Sequence, residues 1–178
     1  MNELQQPEQL ACQTISTWMG NVGIVCSMKG VLSVYLPGWE GRIEQLIQHH
    51  YSESVLVDKN PWISDVVKQV NAYFSEKRMV FDLPLDLRVT DFQRTVLMQV
   101  NVVPFGKTMT YGDIAKKIGD PGASRAVGMA NNRNPIPIII PCHRVVGAGG
   151  KLVGYAGGLE MKRQLLVFEQ RVAGMVLL

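Results

Sequence analysis

The sequence predicts a small α/β unit followed by a mainly α-helical unit with a helix-turn-helix outline. Three observations predict it. Strand-length apolar segments joined by turn residues fill the first third, capping signatures with helical apolar spacing dominate after residue 90, and an extended, proline-containing stretch lies between them. At 178 residues the chain suffices for one roomy domain or two small ones, and the expected division is 1–85 and 86–178. A composition of 47% hydrophobic and 19% charged residues supplies enough apolar surface for a core and excludes a disordered chain.

The elements follow in order. Residues Cys12 to Met19 alternate as a strand, and Asn21 and Gly23 mark a turn. Val22 to Met28 and Val31 to Leu36 flank Lys29-Gly30 as a hairpin, which Pro37-Gly38 ends. Residues 40–50 have helical spacing through Ile43, Leu46 and Ile47, and Ser54 to Val57 reads as a short strand. Asn60 caps a helix with Pro61 at its first position, and Val66, Val67, Val70, Tyr73 and Phe74 form its apolar stripe. Residues 82–90 read as an extended linker. Thr90 and Gln93 match a capping box ahead of Val96, Leu97, Val100 and Val103. Thr110 caps a short helix that Gly119 stops, Asp120-Pro-Gly122 turns the chain, and a second helix spans about 123–132. That pair has the outline of a helix-turn-helix, and its second helix is rich in small residues at Ala126, Gly128 and Ala130, which suits close approach to a groove or to another helix. The last helix covers Leu159 to Val172.

Charge is divided unevenly. Residues 1–85 carry six Lys/Arg against nine Asp/Glu, whereas residues 86–178 carry twelve against six, so the second half is the one suited to a polyanion. The apolar run Ile136 to Pro141 is far too short to span a membrane, and Met1 to Leu10 has no signal-peptide core. Three cysteines do not make a disulfide framework, which suits a reducing, cytoplasmic setting.

The chemistry-bearing stretch is Asn134 to Val146. Pro135, Pro137 and Pro141 forbid a helix and stiffen an apolar, extended lead-in to Cys142-His143-Arg144. A neighbouring imidazole and guanidinium are conditions that lower a thiol pKa, whereas Cys12 and Cys26 read as small buried hydrophobes. In an extended chain His143 would point away from Cys142, so a water would have to bridge them. Glu169 sits on the apolar stripe of the last helix with Leu165, Leu166 and Val172. It is either a buried partner that orients His143 or a helix-end carboxylate reaching water. Gly154 to Gly158 can form one wall of a pocket or merely a turn. No P-loop or dinucleotide fingerprint is present, and Cys12, Cys26, His49 and His50 lack metal-ligand spacing, so neither a cofactor nor a zinc ion is expected.

The motifs Pro141-Cys-His-Arg-Val145, the preceding Asn134 to Pro141, Arg125 to Gly128, Thr110 to Ala115 and Gly154 to Lys162 make the chain resemble the O6-alkylguanine-DNA alkyltransferases over roughly residues 86–178. The first half is similar to the family only in general architecture. The resemblance implies a ribonuclease-H-like α/β first domain, and direct repair of O6-alkylguanine, less readily O4-alkylthymine, by single-turnover transfer of the alkyl group to Cys142 after base flipping. It implies that His143 deprotonates Cys142 through a water, that Glu169 orients His143 and that Asn134 braces the turn. Tyr111 would protonate guanine N3 and crowd the backbone phosphate. Arg125 would enter the base stack, and the helix bearing Ser124, Ala126 and Gly128 would lie in the minor groove. Val145, Tyr155, Ala156 and Gly157 would line the substrate pocket. The implied partner is double-stranded DNA containing alkylated guanine; no membrane partner is implied, and a monomer is expected. Some family members have serine where this chain has Ala156, so only the Ala156 N–H could serve the alkyl oxygen here. Three other functions compete. A lesion-binding protein without chemistry would lack Cys142, and a thiol hydrolase would turn over. A helix-turn-helix regulator would need base-reading side chains that residues 123–132 scarcely offer.

Overall fold

The computed structural model describes residues 7–38 and 43–174. The chain divides into two compact units: one runs to Arg78 and includes Asp82–Asp86, and the other comprises Met79–Phe81 and everything from Leu87.

In the first unit β1 (Glu8–Thr17), β2 (Gly20–Ser27) and β3 (Gly30–Tyr35) form an antiparallel meander, and β4 (Ser54–Leu56) joins β1 in parallel, giving the order β3-β2-β1-β4. Two helices, α1 (Ile43–His50) and α2 (Ile63–Phe74), complete it. The predicted helix over 40–50 is present from residue 43; residues 40–42 and the side chain of Ile43 lie outside the described residues. Strand pairing sets Ala11 opposite Cys26 and Cys12 opposite Val25, so the two cysteines point to opposite faces of the sheet. Cys12 packs on the buried cluster of Leu10, Val25, Leu32 and Ile47. Cys26 is fully buried, and burial pushes its thiol up to about 12.

Three local expectations change. The turn after β1 falls at Trp18-Met19, held by the Thr17 hydroxyl, which donates to Gly20 O at 2.7 Å and accepts from Met19 N at 3.1 Å; Asn21 and Gly23 lie inside β2. Asn60 Oδ1 accepts from Trp62 N and Ile63 N in the turn ahead of α2, but the regular helix begins only at Ile63 with Trp62 at its N-cap, two residues later than expected. Residues 82–86 are extended yet not a free linker. Val31 N donates to Pro84 O and Asp86 N to Val31 O, both at 2.8 Å, and Ser27 Oγ donates to Asp86 Oδ2 at 2.7 Å. The pairing requires glycine at position 30, where φ is +148° and a Cβ would come within 2.3 Å of Pro84 O.

The second unit is helical. Its elements are α3 (Asp91–Asn101), β5 (Met109–Thr110), α4 (Tyr111–Lys117), α5 (Ser124–Asn132), β6 (Val145–Val146) and α6 (Leu159–Val172). Capping boxes open α3 (Thr90 with Gln93) and α4 (Thr110 with Asp113), each satisfying two otherwise orphaned amides. Gly119, at φ +83°, releases the chain from α4. The Asp120–Gly122 turn then delivers α5, whose Val127, Ala130 and Asn131 face inward. Among the described residues no helix is long and apolar enough to cross a membrane.

Candidate active site

The segment from Asn134 to Pro141 folds back on itself instead of running extended. Pro137 bridges Ile140, Ile140 N donates to Ile136 O at 2.9 Å, and Ile138 sits at φ +73°. Proline rules out a helix, but the nearest alternative for this buried, apolar segment is a compact turn. A left-handed β-branched residue costs about 1–3 kcal/mol, offset here by complete burial of the Ile138 side chain. Asn134 locks the turn from inside: its Nδ2 donates to Ile140 O at 2.8 Å and its Oδ1 accepts from Ile136 N at 3.0 Å. The chain then enters a 3-10 turn, Cys142–Arg144, so Cys142 and His143 are not on opposite sides of a strand as expected.

His143 is fully buried, and its Nε2 lies 2.8 Å from Glu169 Oε1. Of the two open roles for Glu169, burial beside His143 is the one observed. Arg144 Nη2 donates to Oε1 at 2.9 Å, Arg144 Nε to Oε2 at 2.9 Å and Gly106 N to Oε2 at 3.1 Å. Arg144 is itself held by Val103 O at 2.6 Å and lies 5.6 Å over the Phe105 ring. Burial alone would raise the Glu169 pKa, but the His143 and Arg144 contacts outweigh it and hold the carboxyl well below the usual range. An ionised carboxylate only accepts, so Nε2 carries the ring proton and Nδ1 presents its lone pair. That Nδ1 is buried without a hydrogen-bond partner among the described residues. Burial also lowers the His143 pKa, which keeps the ring neutral and able to take a proton.

Cys142 is buried, and desolvation pushes its thiol up to about 11 against the opposing pull of Asn134 and Lys162. The expectation that His143 and Arg144 would populate the thiolate is corrected on this point. Both groups are engaged with Glu169, and burial dominates, so the resting group is a thiol.

Tyr111 opens α4, placed by the Thr110 cap. Its hydroxyl donates to Val153 O at 3.1 Å or Gly154 O at 3.3 Å. Lys162 is fully buried. Its Nζ donates to Val145 O at 2.6 Å and Val153 O at 2.9 Å and lies 3.4 Å from the Tyr111 hydroxyl; burial draws its pKa down to about 8. Spacing pointed to neither Lys162 nor Asn131, whose Nδ2 donates to Cys142 O at 3.2 Å. A signal for Lys162 was present. Residues 162, 165, 166 and 169 form one helical stripe, so the two readings open for Glu169 were equally open for Lys162.

Cys142, His143, Glu169, Asn134 and Tyr111 are thus gathered around one turn. Val145 is buried and its carbonyl already serves Lys162, with one lone pair left over. Tyr155 is buried, and its hydroxyl has no partner among the described residues. Ala156 is exposed and Gly157 half-buried on the loop before α6. Arg125 is exposed on α5, Ser124 is half-buried, and a Cβ on Gly128 would sit 3.9 Å from the Tyr111 ring. Ala126 lines an open groove with Phe92 and Met129. Among the described residues no group of three His, Cys, Asp or Glu could hold a metal ion.

Comparison with known proteins supplies family context. The ribonuclease-like domain of 6-O-methylguanine DNA methyltransferase matches residues 11–87, and the DNA-binding domain of the same family matches residues 91–171. The chain is 56% identical over 107 residues to the methylated-DNA–protein-cysteine methyltransferase of Mycobacterium bovis, a stretch that spans 60% of this chain and 65% of that protein. It is 45% identical over 128 residues to the Mycobacterium leprae protein of the same name, spanning 71% of this chain and 78% of that one. The crystal structure of Mycobacterium tuberculosis OGT in complex with DNA matches with a TM-score of 0.77 at 39% identity, covering 92% of this chain and 94% of that chain. A ribonuclease-like first unit and a helical DNA-binding second unit are therefore both present.

Proposed function

The chain belongs to the methylated-DNA–protein-cysteine methyltransferases, and from that membership we propose that it repairs O6-alkylguanine, less readily O4-alkylthymine, in double-stranded DNA by irreversible transfer of the alkyl group to Cys142. The observation that carries the proposal is the His143–Glu169 pair beside a buried thiol: Glu169 fixes the tautomer, and His143 Nδ1 is left as a proton acceptor.

The chemistry has three requirements. The alkyl carbon on O6 is inaccessible inside a duplex, so the nucleotide must leave the stack at a cost of a few kcal/mol. Small residues Ala126 and Gly128 let α5 approach the minor groove, exposed Arg125 fills the gap left in the stack, and Ser124 at the start of α5 is part of the same DNA-binding helix. The thiol must then lose its proton. His143 Nδ1 takes it through a bridging water, and Glu169 stabilises the imidazolium that forms. Sulfur attacks the alkyl carbon, the carbon–O6 bond breaks, and its electron pair enters the guanine ring, where N3 takes the Tyr111 proton. The backbones of Cys142 and Val145 bind the guanine edge, and Tyr155, Ala156 and Gly157 form the far wall of the pocket. The product is a thioether, which no step in this sequence reverses, so each molecule acts once and no cofactor is needed. The raised resting pKa of Cys142 suits such a device, because the thiol stays protonated until a lesion is seated. The setting proposed is cytoplasmic.

The test is stoichiometry. With excess duplex carrying O6-methylguanine, conversion of the lesion to guanine in the DNA should plateau at one per protein, and Cys142→Ser should convert none while retaining affinity for the lesion. Continued turnover would favour a thiol hydrolase instead.

A further inference from the structure

Asn131 has no role in the chemistry proposed above, yet it is buried at the point where the two reacting arms of the site meet. Its Nδ2 donates one hydrogen to the carbonyl of Cys142 at 3.2 Å. Gly128 lies one turn before Asn131 on the same face of α5, and a Cβ there would be 3.9 Å from the Tyr111 ring, so the ring lies along that face. The second hydrogen of Nδ2 is therefore available to the Tyr111 hydroxyl oxygen, while Lys162 Nζ approaches the same oxygen at 3.4 Å. Burial raises the Tyr111 pKa, and the Asn131 side-chain hydrogen bond opposes it.

We propose that Asn131 is a positioning residue for the proton transfer, joining the Cys142 turn to Tyr111 and stabilising the phenolate that Tyr111 becomes. This rests on Tyr111 protonating guanine N3. In that step the O–H bond of Tyr111 breaks, its proton goes to N3, and the electron pair of the broken carbon–O6 bond ends in the neutral guanine ring. The phenolate is left between two donors, the Lys162 ammonium and the Asn131 amide, and the proton that His143 took from Cys142 returns to it through water after the repaired base leaves the pocket. A carboxamide has the geometry for this double role, because two hydrogens on one planar nitrogen reach two oxygens on different elements.

The test uses the full chain and single-turnover rates on two duplexes, one carrying O6-methylguanine and one carrying its analogue with N3 replaced by C–H, which cannot take the proton. Asn131→Leu should slow the natural lesion roughly tenfold, the loss of one charge-assisted hydrogen bond. It should slow the C–H analogue distinctly less, since only the bond to the Cys142 carbonyl is lost there, and in a Tyr111→Phe background its effect should shrink to that smaller factor. Equal slowing on both duplexes would place Asn131 in the cysteine turn alone and overturn the proposal, as would an unchanged rate on both. If Tyr111→Phe itself leaves the natural rate unchanged, the proton-donor role of Tyr111 fails, an outcome distinct from failure of the Asn131 link. Should Asn131→Leu not fold, Asn131→Ser, too short to span both oxygens, gives the same comparison.

Discussion

Glu169 is the residue on which the site depends most. It accepts from His143, from two nitrogens of Arg144 and from the Gly106 amide, all in the interior. Replacing it with alanine would leave the Arg144 guanidinium buried without its counter-charge, a change that typically costs about 3–5 kcal/mol. Glu169→Ala should lower the urea midpoint accordingly and abolish fast transfer; a stability loss too small to measure would mean that water replaces the carboxylate and that the pair is not sealed. Cys142→Ser, in contrast, should abolish transfer with almost no change in the urea midpoint, since its side chain makes no comparable ion pair. At this scale the sequence was legible for Cys142, His143 and Tyr111, because each sits in a motif of this family. It was half-legible for Glu169, since a carboxylate on an apolar stripe can be buried or can reach water. Lys162 was missed because long charged side chains ordinarily snorkel, and only the carbonyls of Val145 and Val153 explain why this one does not.

The turn from Asn134 to Pro141 is the element that places the thiol. It is held by two buried hydrogen bonds to one side chain, in spite of the left-handed Ile138. Asn134→Ala would leave the Ile136 amide unpaired, at about 1–3 kcal/mol, and the Ile140 carbonyl with Cys142 N as its remaining donor, and should reduce both the melting temperature and the transfer rate. A normal rate in a folded Asn134→Ala protein would show that the prolines alone fix the turn. Prolines announce that this segment is not helical, but they do not distinguish an extended chain from a folded one. That choice depends on which carbonyls Asn134 finds, a tertiary matter invisible to local pattern. The capping boxes of α3 and α4 were legible because cap and acceptor are only three residues apart. The pairing of residues 82–86 with Val31 was not, because it joins positions some fifty apart in sequence.

At the scale of the whole molecule, acid should unfold the chain earlier than its composition suggests. His143 is held below its ordinary 6.5 and Glu169 below 4.5, so the unfolded chain binds more protons than the folded one across both windows. Stability should therefore fall as pH drops below about 6.5 and fall further below about 4.5. Glu169→Gln should flatten the lower limb, and a flat profile in the native protein between these values would contradict the buried, neutral His143. Base flipping is likewise a property of the complete complex. Arg125→Ala should slow repair of duplex DNA far more than reaction with free O6-alkylguanine, because only the duplex needs the gap filled; equal losses on both would count against an intercalating role. The central claim is a covalent one, and intact-protein mass spectrometry after mixing with duplex DNA bearing one O6-methylguanine tests it directly. One added methyl group per chain, mapping to Cys142 and present without further turnover, is the predicted result. An unchanged mass with the lesion consumed, or a methyl group on Cys12 or Cys26, would contradict it.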